Sequence, residues 1–458
     1  MRKLLKNLSM VVSFDNEENI YKNSDILIED KEIIDIGENL CEKDAEIIDC
    51  KGYIALPGFV NTHHHLYQTL FRGIDEVQEK PLFPWLIGLY EFWKHIDSEA
   101  VNYGALVGFT ELLRTGCTTT SDHHYLFPEG SCKTLIDTEI EAAKNIGIRF
   151  HATRGSMSLG RDRGGLPPNS VVQTEDQILL DSERLINKYH DSNKMAMTRI
   201  ALAPCSPFSV SKELMIESKN MARKKGVMLH THLAETIDEE NFCIEKYGLK
   251  PVQLMESLEW LGEDVWFAHV IHVSDDDIKL LKGSGVAHCP SSNMKLSSGI
   301  CRISELIKAG VKVSVAVDGS ASNDGSNMWE EVRRAYLLNH LKYGAEGLSA
   351  YETLKMAARG GAEVLGRSDI GILSKGKAAD MVLYDLGDIS YAGCHNPFVG
   401  LVTCGNSSLV KMTMVNGKIV YKDGKLLTMD IDDIKEKANE ISKKIVEKER
   451  SNKKVTLE

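Results

Sequence analysis

Eight short runs of apolar and β-branched residues recur through the middle of this chain. They occupy residues 58–61, 118–122, 148–152, 199–203, 227–232, 265–269, 286–289 and 312–317. Most of them are separated by amphipathic stretches with helical spacing, such as 100–114 and 211–225. This alternation predicts parallel strands joined by helical crossovers, and eight such units predict an α/β fold, a closed (β/α)8 TIM barrel.

The two ends of the chain have a different texture. Residues 1–57 and 371–428 contain short apolar segments separated by turn residues, among them the pairs Asn416-Gly417 and Asp423-Gly424. Such pairs are typical of β-hairpins. We expect the two ends to form one small β-sandwich; two independent β pieces are the alternative, but each would be short for a stable domain.

Four segments are therefore predicted along the chain. Residues 1–57 supply the N-terminal strands of the sandwich, 58–370 the barrel, 371–428 the C-terminal strands of the sandwich and 429–458 a charged helical tail. The tail is interpreted as a solvated surface helix or a contact between subunits of a homo-oligomer.

Composition narrows the location and the partners. The net charge of -12 disfavours nucleic acid and anionic membranes as partners. The ten cysteines show no CxxC pair, which is typical of reduced thiols in the cytoplasm. The apolar patch at the N-terminus is too short and too charged for a signal peptide, and no other run is long enough to span a bilayer. We expect a cytoplasmic protein that binds a small molecule.

Two stretches interrupt the alternation of strands and helices. Residues 66–94 follow the first predicted strand and contain Trp85 and Trp93, and residues 154–169 follow the third and are rich in Gly, Arg and Pro. Both are expected at the carboxyl ends of the strands, where barrel enzymes carry their active sites. They are candidate lids.

Three consecutive histidines come directly after the first predicted strand, in PGFVNTHHH. Side chains alternate along a strand, so His63 and His65 face one side and His64 the other. Two imidazoles that converge at a barrel mouth form half of a zinc site. A surface run of histidines is the alternative, and the position after a barrel strand disfavours it.

The fifth predicted strand ends in HTHLAE. His232 at the strand end can ligate a metal, while His230 lies one layer deeper and is expected to pack or to support a ligand. Glu235 can reach a metal-bound water or the substrate. A carboxylate that moves protons beside such a water, without being a ligand, is the arrangement of zinc deaminases on another fold.

Two further strand ends carry ligand-type residues. Asp318 ends an apolar strand, and a buried carboxylate needs a charged partner such as a metal or its water. His269 can hydrogen-bond the attacking water or a substrate carbonyl. His272 is expected to be structural. The roles of some other histidines stay open, namely His64, His123, His124, His230 and His288.

Together these motifs resemble the amidohydrolase superfamily over nearly the whole chain. The pattern is HxH after strand one, HxxE after strand five, His after strand six and Asp after strand eight. More narrowly, several segments resemble the 8-oxoguanine deaminases, with triazine amidohydrolases and S-adenosylhomocysteine, cytosine and guanine deaminases as relatives. These segments are VNTHHHLYQTL, SDHHYLFP, RGSMSLG, APCSPFSVS, HTHLAET, HCPSSNMKLSSG and VAVDGSASNDGSNM.

The resemblance implies a ligand set and roles. One divalent metal ion, zinc with iron or manganese as alternatives, would be held by four residues, namely His63, His65, His232 and Asp318. Glu235 would relay protons, and His269 would orient the water and polarise the substrate. The fourth strand reads ALAPCS and lacks the bridging Lys or Glu of binuclear relatives, which favours a single metal.

Three residues are predicted to contact the substrate. Gln68 lies where relatives place an amide against the heterocycle, and Cys205 lies near the ring in close relatives. Arg154 is expected to turn toward a substrate carbonyl, since its guanidinium is a donor-only fork. The alternative is that Arg154 pairs with an acidic residue and never meets the substrate.

The sequence thus predicts an enzyme that hydrolytically deaminates an amino-substituted nitrogen heterocycle, converting 8-oxoguanine to uric acid and ammonia. Hydrolysis of a triazine, a pterin or a pyrimidine, with another ring or leaving group, is the alternative. An inactive barrel scaffold is disfavoured, because all four ligand positions and Glu235 are retained.

Overall fold

The computed structural model describes residues 1–131, 134–405 and 410–457, with side chains as far as Asn452. The strands are β1 (Arg2–Val12), β2 (Ile20–Glu29), β3 (Glu32–Gly37), β4 (Glu46–Asp49), β5 (Tyr53–Pro57), β6 (Phe59–Asn61), β7 (Cys117–Ser121), β8 (Arg149–Ser156), β9 (Thr198–Pro204), β10 (Met228–Leu233), β11 (Val265–His269), β12 (Gly285–His288), β13 (Lys312–Val315), β14 (Met381–Asp385), β15 (Val410–Val415), β16 (Lys418–Lys422) and β17 (Lys425–Leu426). The helices are α1 (Leu82–Trp93), α2 (Ser98–Arg114), α3 (Leu135–Ile146), α4 (Glu175–Tyr189), α5 (Lys212–Lys225), α6 (Ile237–Tyr247), α7 (Pro251–Ser257), α8 (Asp275–Leu280), α9 (Pro290–Lys295), α10 (Ile303–Lys308), α11 (Met328–Tyr343), α12 (Ala350–Lys355), α13 (Gly361–Val364), α14 (Pro397–Val399) and α15 (Ile431–Leu457).

Strands β6 to β13 form a parallel sheet in sequence order. The first and last strands meet through two backbone donors. The Asp318 N–H donates to the His63 carbonyl at 3.1 Å, and the Val317 N–H donates to Asn61 Oδ1 at 3.0 Å. The sheet therefore curls into a nearly closed barrel, and all eight predicted strands are confirmed, with ends that shift by a few residues.

The termini build a second sheet, with the order β17-β16-β15-β14-β5-β1-β2-β3 and β4 beside β1. Its central join is the antiparallel pairing of β5 with β14, in which Pro57 lies opposite Met381. This sheet has a buried cluster of its own that includes Leu5, Ile28 and Met412. The prediction that both ends form one β unit is confirmed, and the alternative of two independent pieces is wrong. The four domain limits stay predictions.

The C-terminal helix α15 packs on the barrel instead of standing free. Ile434 and Ile441 are buried, and the Ser442 hydroxyl donates to the Leu70 carbonyl at 2.6 Å. The expectation of a simply solvated helix is therefore corrected, because an apolar stripe on α15 covers α2 and the 66–71 segment. Within the residues described, no helix combines the length and apolarity needed to cross a membrane.

A buried ion pair joins the bottom of the barrel to the terminal sheet. The Arg149 guanidinium donates to both carboxylate oxygens of Asp380, at 2.9 and 3.0 Å, and to the carbonyls of Met195 and Ala196. Asp380 also accepts from the Asn416 N–H. Both charged side chains are almost completely buried.

We expect Asp380→Asn to lower the free energy of unfolding by about 3–5 kcal/mol, because it leaves a buried guanidinium without its counter-charge. Chemical denaturation followed by circular dichroism measures the change. Asp276→Asn is the control, since Asp276 pairs with Lys279 on the surface and should change stability by less than about 0.5 kcal/mol. Equal unfolding midpoints for the two variants would contradict this account of the junction.

Candidate metal centre and active-site cavity

The carboxyl ends of four barrel strands bring five predicted residues together. His63 and His65 follow β6, His232 lies on β10, His269 ends β11 and Asp318 follows β13. All five are buried. The ligand atoms of His63, His65 and His232 lie within 4.8 Å of one another, as do those of His63, His269 and Asp318.

The backbone is strained where two of these side chains begin. His269 has a φ of 74° and Asp318 a φ of 61°, in the left-handed region that residues other than glycine seldom adopt. The Asp318 turn is held by the bond from its N–H to His63 and by the Gly319 N–H, which donates to Asp318 Oδ1 at 2.7 Å. The strain turns both side chains into the barrel mouth.

The protonation of His63 follows from its neighbours. His230 Nδ1 lies 2.9 Å from the Trp266 carbonyl, which can only accept, so this nitrogen carries the proton. In the neutral ring, His230 Nε2 is then an acceptor, and it receives the proton of His63 Nδ1 at 2.8 Å. His63 Nε2 is left with its lone pair and has no hydrogen-bond partner in the described part of the chain.

His65 and His232 are oriented in the same way by backbone carbonyls. His65 Nδ1 donates to the His123 carbonyl at 2.9 Å, and His232 Nδ1 donates to the Cys205 carbonyl at 2.7 Å. Their Nε2 atoms therefore both present lone pairs, yet they lie only 3.2 Å apart. Two acceptors at this distance repel each other unless a cation lies between them.

The Asp318 carboxylate completes the set of acceptors. Its Oδ1 lies 3.3 Å from Nε2 of His63 and 3.3 Å from Nε2 of His65. Three imidazole nitrogens and one carboxylate face one another, and none of these atoms carries a proton. Such a set of acceptors suits a divalent metal ion. These buried residues form a site able to bind a metal.

Burial sets the charge of this cluster. It lowers the pKa of His63 and His65, and it lowers the pKa of His232 to about 4, so the three rings are neutral at pH 7. Burial opposes ionisation of Asp318 as well, but its close contact with the His63 ring, and then with the His269 and His65 rings, lowers the pKa of Asp318 below its usual range. Neutral imidazoles and an ionised carboxylate are the forms in which metal ligands bind.

His269 differs from the three ligand candidates. The Asn293 amide donates to His269 Nδ1 at 2.9 Å, so the proton of the neutral ring is on Nε2. That Nε2 points toward Glu235 Oε2 at 3.5 Å and Asp318 Oδ2 at 3.9 Å. Burial lowers the pKa of His269 to about 4. The ring can therefore donate a hydrogen bond into the cavity.

Hydrogen bonds from the backbone at Glu235 to the Glu239 side chain hold Glu235 beside the metal site. The N–H groups of Ala234 and Glu235 donate to the two carboxylate oxygens of Glu239 at 2.8 and 3.0 Å. Ser298 Oγ lies 3.3 Å from Glu235 Oε1. Burial, followed by the charges of Asp318 and Glu239, raises the pKa of Glu235 well above its usual value. A buried carboxyl with a raised pKa is suited to general acid catalysis.

A cavity of about 430 Å³ opens onto these groups. Gln68 and Cys205 line it together with metal-site residues and Glu235, and their contact with substrate stays a prediction. The remaining walls are mainly apolar and aromatic, formed by Leu82, Trp85, Leu86, Tyr90, Tyr125, Phe208 and Leu296. An apolar and aromatic lining of this kind suits a small flat ring.

The structure places Arg154 away from the cavity, so the expected contact with substrate is corrected. Its guanidinium donates to Asp181 and to the Gln173 side chain, each at 2.7 Å, and lies over the Phe127 ring. Residues on β8 alternate, and Arg154 is an odd number of positions from the inward-facing His151. Arg154 therefore faces the helices. It pairs with an acidic residue, Asp181, as the alternative interpretation expected.

Several residues of the site were not assigned from the sequence. His123 donates to the Ala203 carbonyl at 2.9 Å and stacks on His232 at 4.7 Å, with its Nδ1 near the metal-site atoms. Its position after β7 was the available signal, since it follows the same strand-end rule. The predicted supporting role of His230 agrees with its bond to His63. Asn293 and Glu239 carry no signal of this kind, because helices α9 and α6 bring them in.

Three other histidines whose roles were left open lie outside the cavity lining. His64 bonds Ser326, and His124 bonds Glu139. His288 is buried at the end of β12, and burial lowers its pKa to about 3.

Comparisons with known proteins agree with this geometry. The amidohydrolase family profile matches residues 54–420. The chain is 46% identical over 411 residues to 8-oxoguanine deaminase of Pseudomonas aeruginosa, which covers 89% of this chain and 91% of that one. It is 35% identical to hydroxydechloroatrazine ethylaminohydrolase of Pseudomonas sp. strain ADP, over 95% of this chain and 94% of that one.

Solved structures show the same fold. The zinc complex of atrazine chlorohydrolase from Arthrobacter aurescens TC1 superposes with a TM-score of 0.92 at 33% identity, covering 96% of this chain and 99% of that one. The barrel with histidine and aspartate ligands at its strand ends defines a metal-dependent hydrolase. The chain belongs to the amidohydrolase family.

Proposed function

We propose that this protein is a zinc-dependent deaminase of a purine-like ring, and that its substrate is 8-oxoguanine, which it converts to uric acid and ammonia. The observation that carries the proposal is the placement of Glu235, which is buried and has a raised pKa, beside four proton-free candidate metal ligands at one end of an aromatic cavity. The 46% identity to an 8-oxoguanine deaminase supports the choice of ring.

One zinc ion would be held by Nε2 of His63, His65 and His232 and by the Asp318 carboxylate. When bound, a divalent cation supplies Lewis acidity, which makes water a nucleophile near neutral pH. The end of β9 supports a single ion, because Ala203, Pro204 and Cys205 offer no carboxylate or amine to bridge two metals. Iron or manganese could replace zinc at imidazole and carboxylate ligands.

The protein's own residues move the protons. Asp318 takes a proton from the attacking water, whose oxygen adds to the ring carbon that bears the amine. Glu235 gives its proton to the adjacent ring nitrogen, takes up the proton of the added hydroxyl as the carbonyl forms, and gives that proton to the leaving amine. The proton on Asp318 then returns to Glu235. His269 donates through Nε2 to the oxygen on which charge develops. Water and the amino-substituted ring are consumed, and the oxo-substituted ring and ammonia are formed.

A triazine hydrolase is the second candidate function. The 35% identity to hydroxydechloroatrazine ethylaminohydrolase and the fold shared with atrazine chlorohydrolase favour it. In that case the same residues would act on a ring with an alkylamine or chloride leaving group. Cytoplasmic location and homo-oligomerisation stay predictions.

The test compares 8-oxoguanine, guanine, isocytosine, an amino-substituted pterin and aminotriazines at equal concentration. The release of ammonia is measured for each compound. We expect kcat/KM for 8-oxoguanine to exceed that for guanine by at least about 10²-fold, because a buried site built for the extra oxygen is left unpaired by guanine. Isocytosine is expected to be a minor substrate. The His232→Ala protein, purified in parallel, controls for contaminating deaminases. Preference for guanine, a pterin or a triazine would overturn the substrate but leave the hydrolase intact.

A further inference from the structure

Helix α1 supplies the wall of the cavity that the barrel strands do not. Leu82, Trp85, Leu86 and Tyr90 lie on successive turns of α1 and line the cavity. The metal-site residues come instead from the strand ends. When the reacting edge of a substrate ring lies at the strand ends, the opposite edge of that ring can therefore contact α1.

Trp85 brings an unpaired donor to this wall. Its side chain is 4% exposed, and its indole Nε1 has no hydrogen-bond partner among the side chains and backbone that the structure describes. An indole N–H can only donate. A buried donor without an acceptor is costly, so an acceptor on a ligand that reached this N–H from the cavity would be stabilised by it.

The other polar groups of the cavity wall are largely committed. The Tyr90 hydroxyl donates to Met157 Sδ at 3.7 Å. Ser322 Oγ donates to the Gly319 carbonyl at 3.1 Å. Gln68 Oε1 accepts from the Ala321 N–H at 3.4 Å, which leaves the amide N–H groups of Gln68 as donors. The hydrogens of both hydroxyls are therefore used within the protein, and the donors left for a ligand are the amide N–H groups of Gln68 and the indole N–H of Trp85.

We propose that Trp85 donates its indole N–H to the carbonyl oxygen of the substrate at the end opposite the reacting carbon, and so selects oxo-substituted purines. The inference rests on the proposed function. In 8-oxoguanine the amine leaves from C2, and the C8 oxygen lies at the far end of the bicyclic ring. With C2 at the strand ends, O8 faces the α1 wall. Guanine carries no oxygen there, so its binding leaves Trp85 unpaired.

The same helix provides a matched control. Trp93 is also buried with an unpaired indole N–H, and its ring lies 5.7 Å from that of Trp85. Trp93 is not among the described residues that line the cavity. Replacing either indole with a phenyl ring removes one buried N–H from α1, but only the change at Trp85 removes a donor to the ligand.

The first experiment measures kcat/KM for 8-oxoguanine and for isocytosine, which lacks the half of the ring that carries O8. We expect Trp85→Phe to lower the value for 8-oxoguanine by about 10-fold, the worth of one hydrogen bond to a neutral acceptor. The value for isocytosine should change by less than about 2-fold. Trp93→Phe should leave the ratio of the two unchanged. An equal fall for both substrates in Trp85→Phe would show that Trp85 only packs, and no fall would show that it does not donate; either result overturns the assignment.

The second experiment does not depend on turnover. Calorimetry compares binding of uric acid with binding of xanthine, the same ring without O8. The wild-type protein is expected to bind uric acid about 10-fold more tightly, and Trp85→Phe is expected to remove that preference. If the wild-type protein shows no preference, the role of Trp85 is wrong. If it shows the preference but does not deaminate 8-oxoguanine, the proposed reaction fails and the assignment of Trp85 stands.

Discussion

His232→Ala is expected to lose bound metal and deaminase activity together. His232 Nε2 is one of the three imidazole acceptors that have no proton to share, because the Cys205 carbonyl takes the proton of Nδ1. Alanine removes one of the four proposed ligands. Elemental analysis of the purified protein should find one equivalent of metal in the wild type and only background metal in the variant. Ammonia release from the variant should fall below detection.

A histidine outside the cavity provides the control for this variant. His340 on α11 bonds the Leu348 carbonyl at 3.1 Å and contacts none of the metal-site residues. His340→Ala should keep one equivalent of metal and wild-type activity within about 2-fold, as expected for a substitution away from the site. Retention of metal in His232→Ala would remove His232 from the ligand set. Two equivalents of metal in the wild type would contradict the single-metal interpretation.

The barrel and its ligand positions were predictable because both depend on short sequence signals. A parallel barrel strand is an apolar run, and a polar residue at its carboxyl end stands out against that run. Asp318 and His232 are found in this way. The alternation of side chains along a strand places His63 and His65 on one side. The same alternation on β8 separates Arg154 from the inward-facing His151.

The features that the sequence did not predict depend on packing between distant segments. Trp85 reaches the cavity only because α1 folds over the barrel mouth, and the 66–94 segment could be predicted as a lid but not oriented. Asn293 contacts His269 from α9, a helix that follows another strand, β12. The spacing of apolar residues in the sequence does not show which helix residue faces which strand end.

Glu235→Gln separates proton transfer from metal binding. Glutamine has nearly the volume of glutamate but cannot take up and release a proton. Burial raises the pKa of Glu235, which favours the protonated carboxyl that gives its proton to the ring nitrogen. We expect kcat to fall by at least about 10²-fold, the usual worth of general acid–base catalysis. Metal content should stay at one equivalent, since Glu235 is not in the ligand set.

Glu240→Gln is the matched control for this substitution. Glu240 lies on the neighbouring helix α6 and pairs with Lys250 at 2.9 Å, outside the cavity lining. The same chemical change there should leave kcat within about 2-fold of wild type. If Glu235→Gln loses its metal, Glu235 is a ligand and the proposed set of four ligands is wrong. If it keeps both metal and full activity, the proton passes through another group, and His269, whose Nε2 lies 3.5 Å from Glu235 Oε2, becomes the residue to replace.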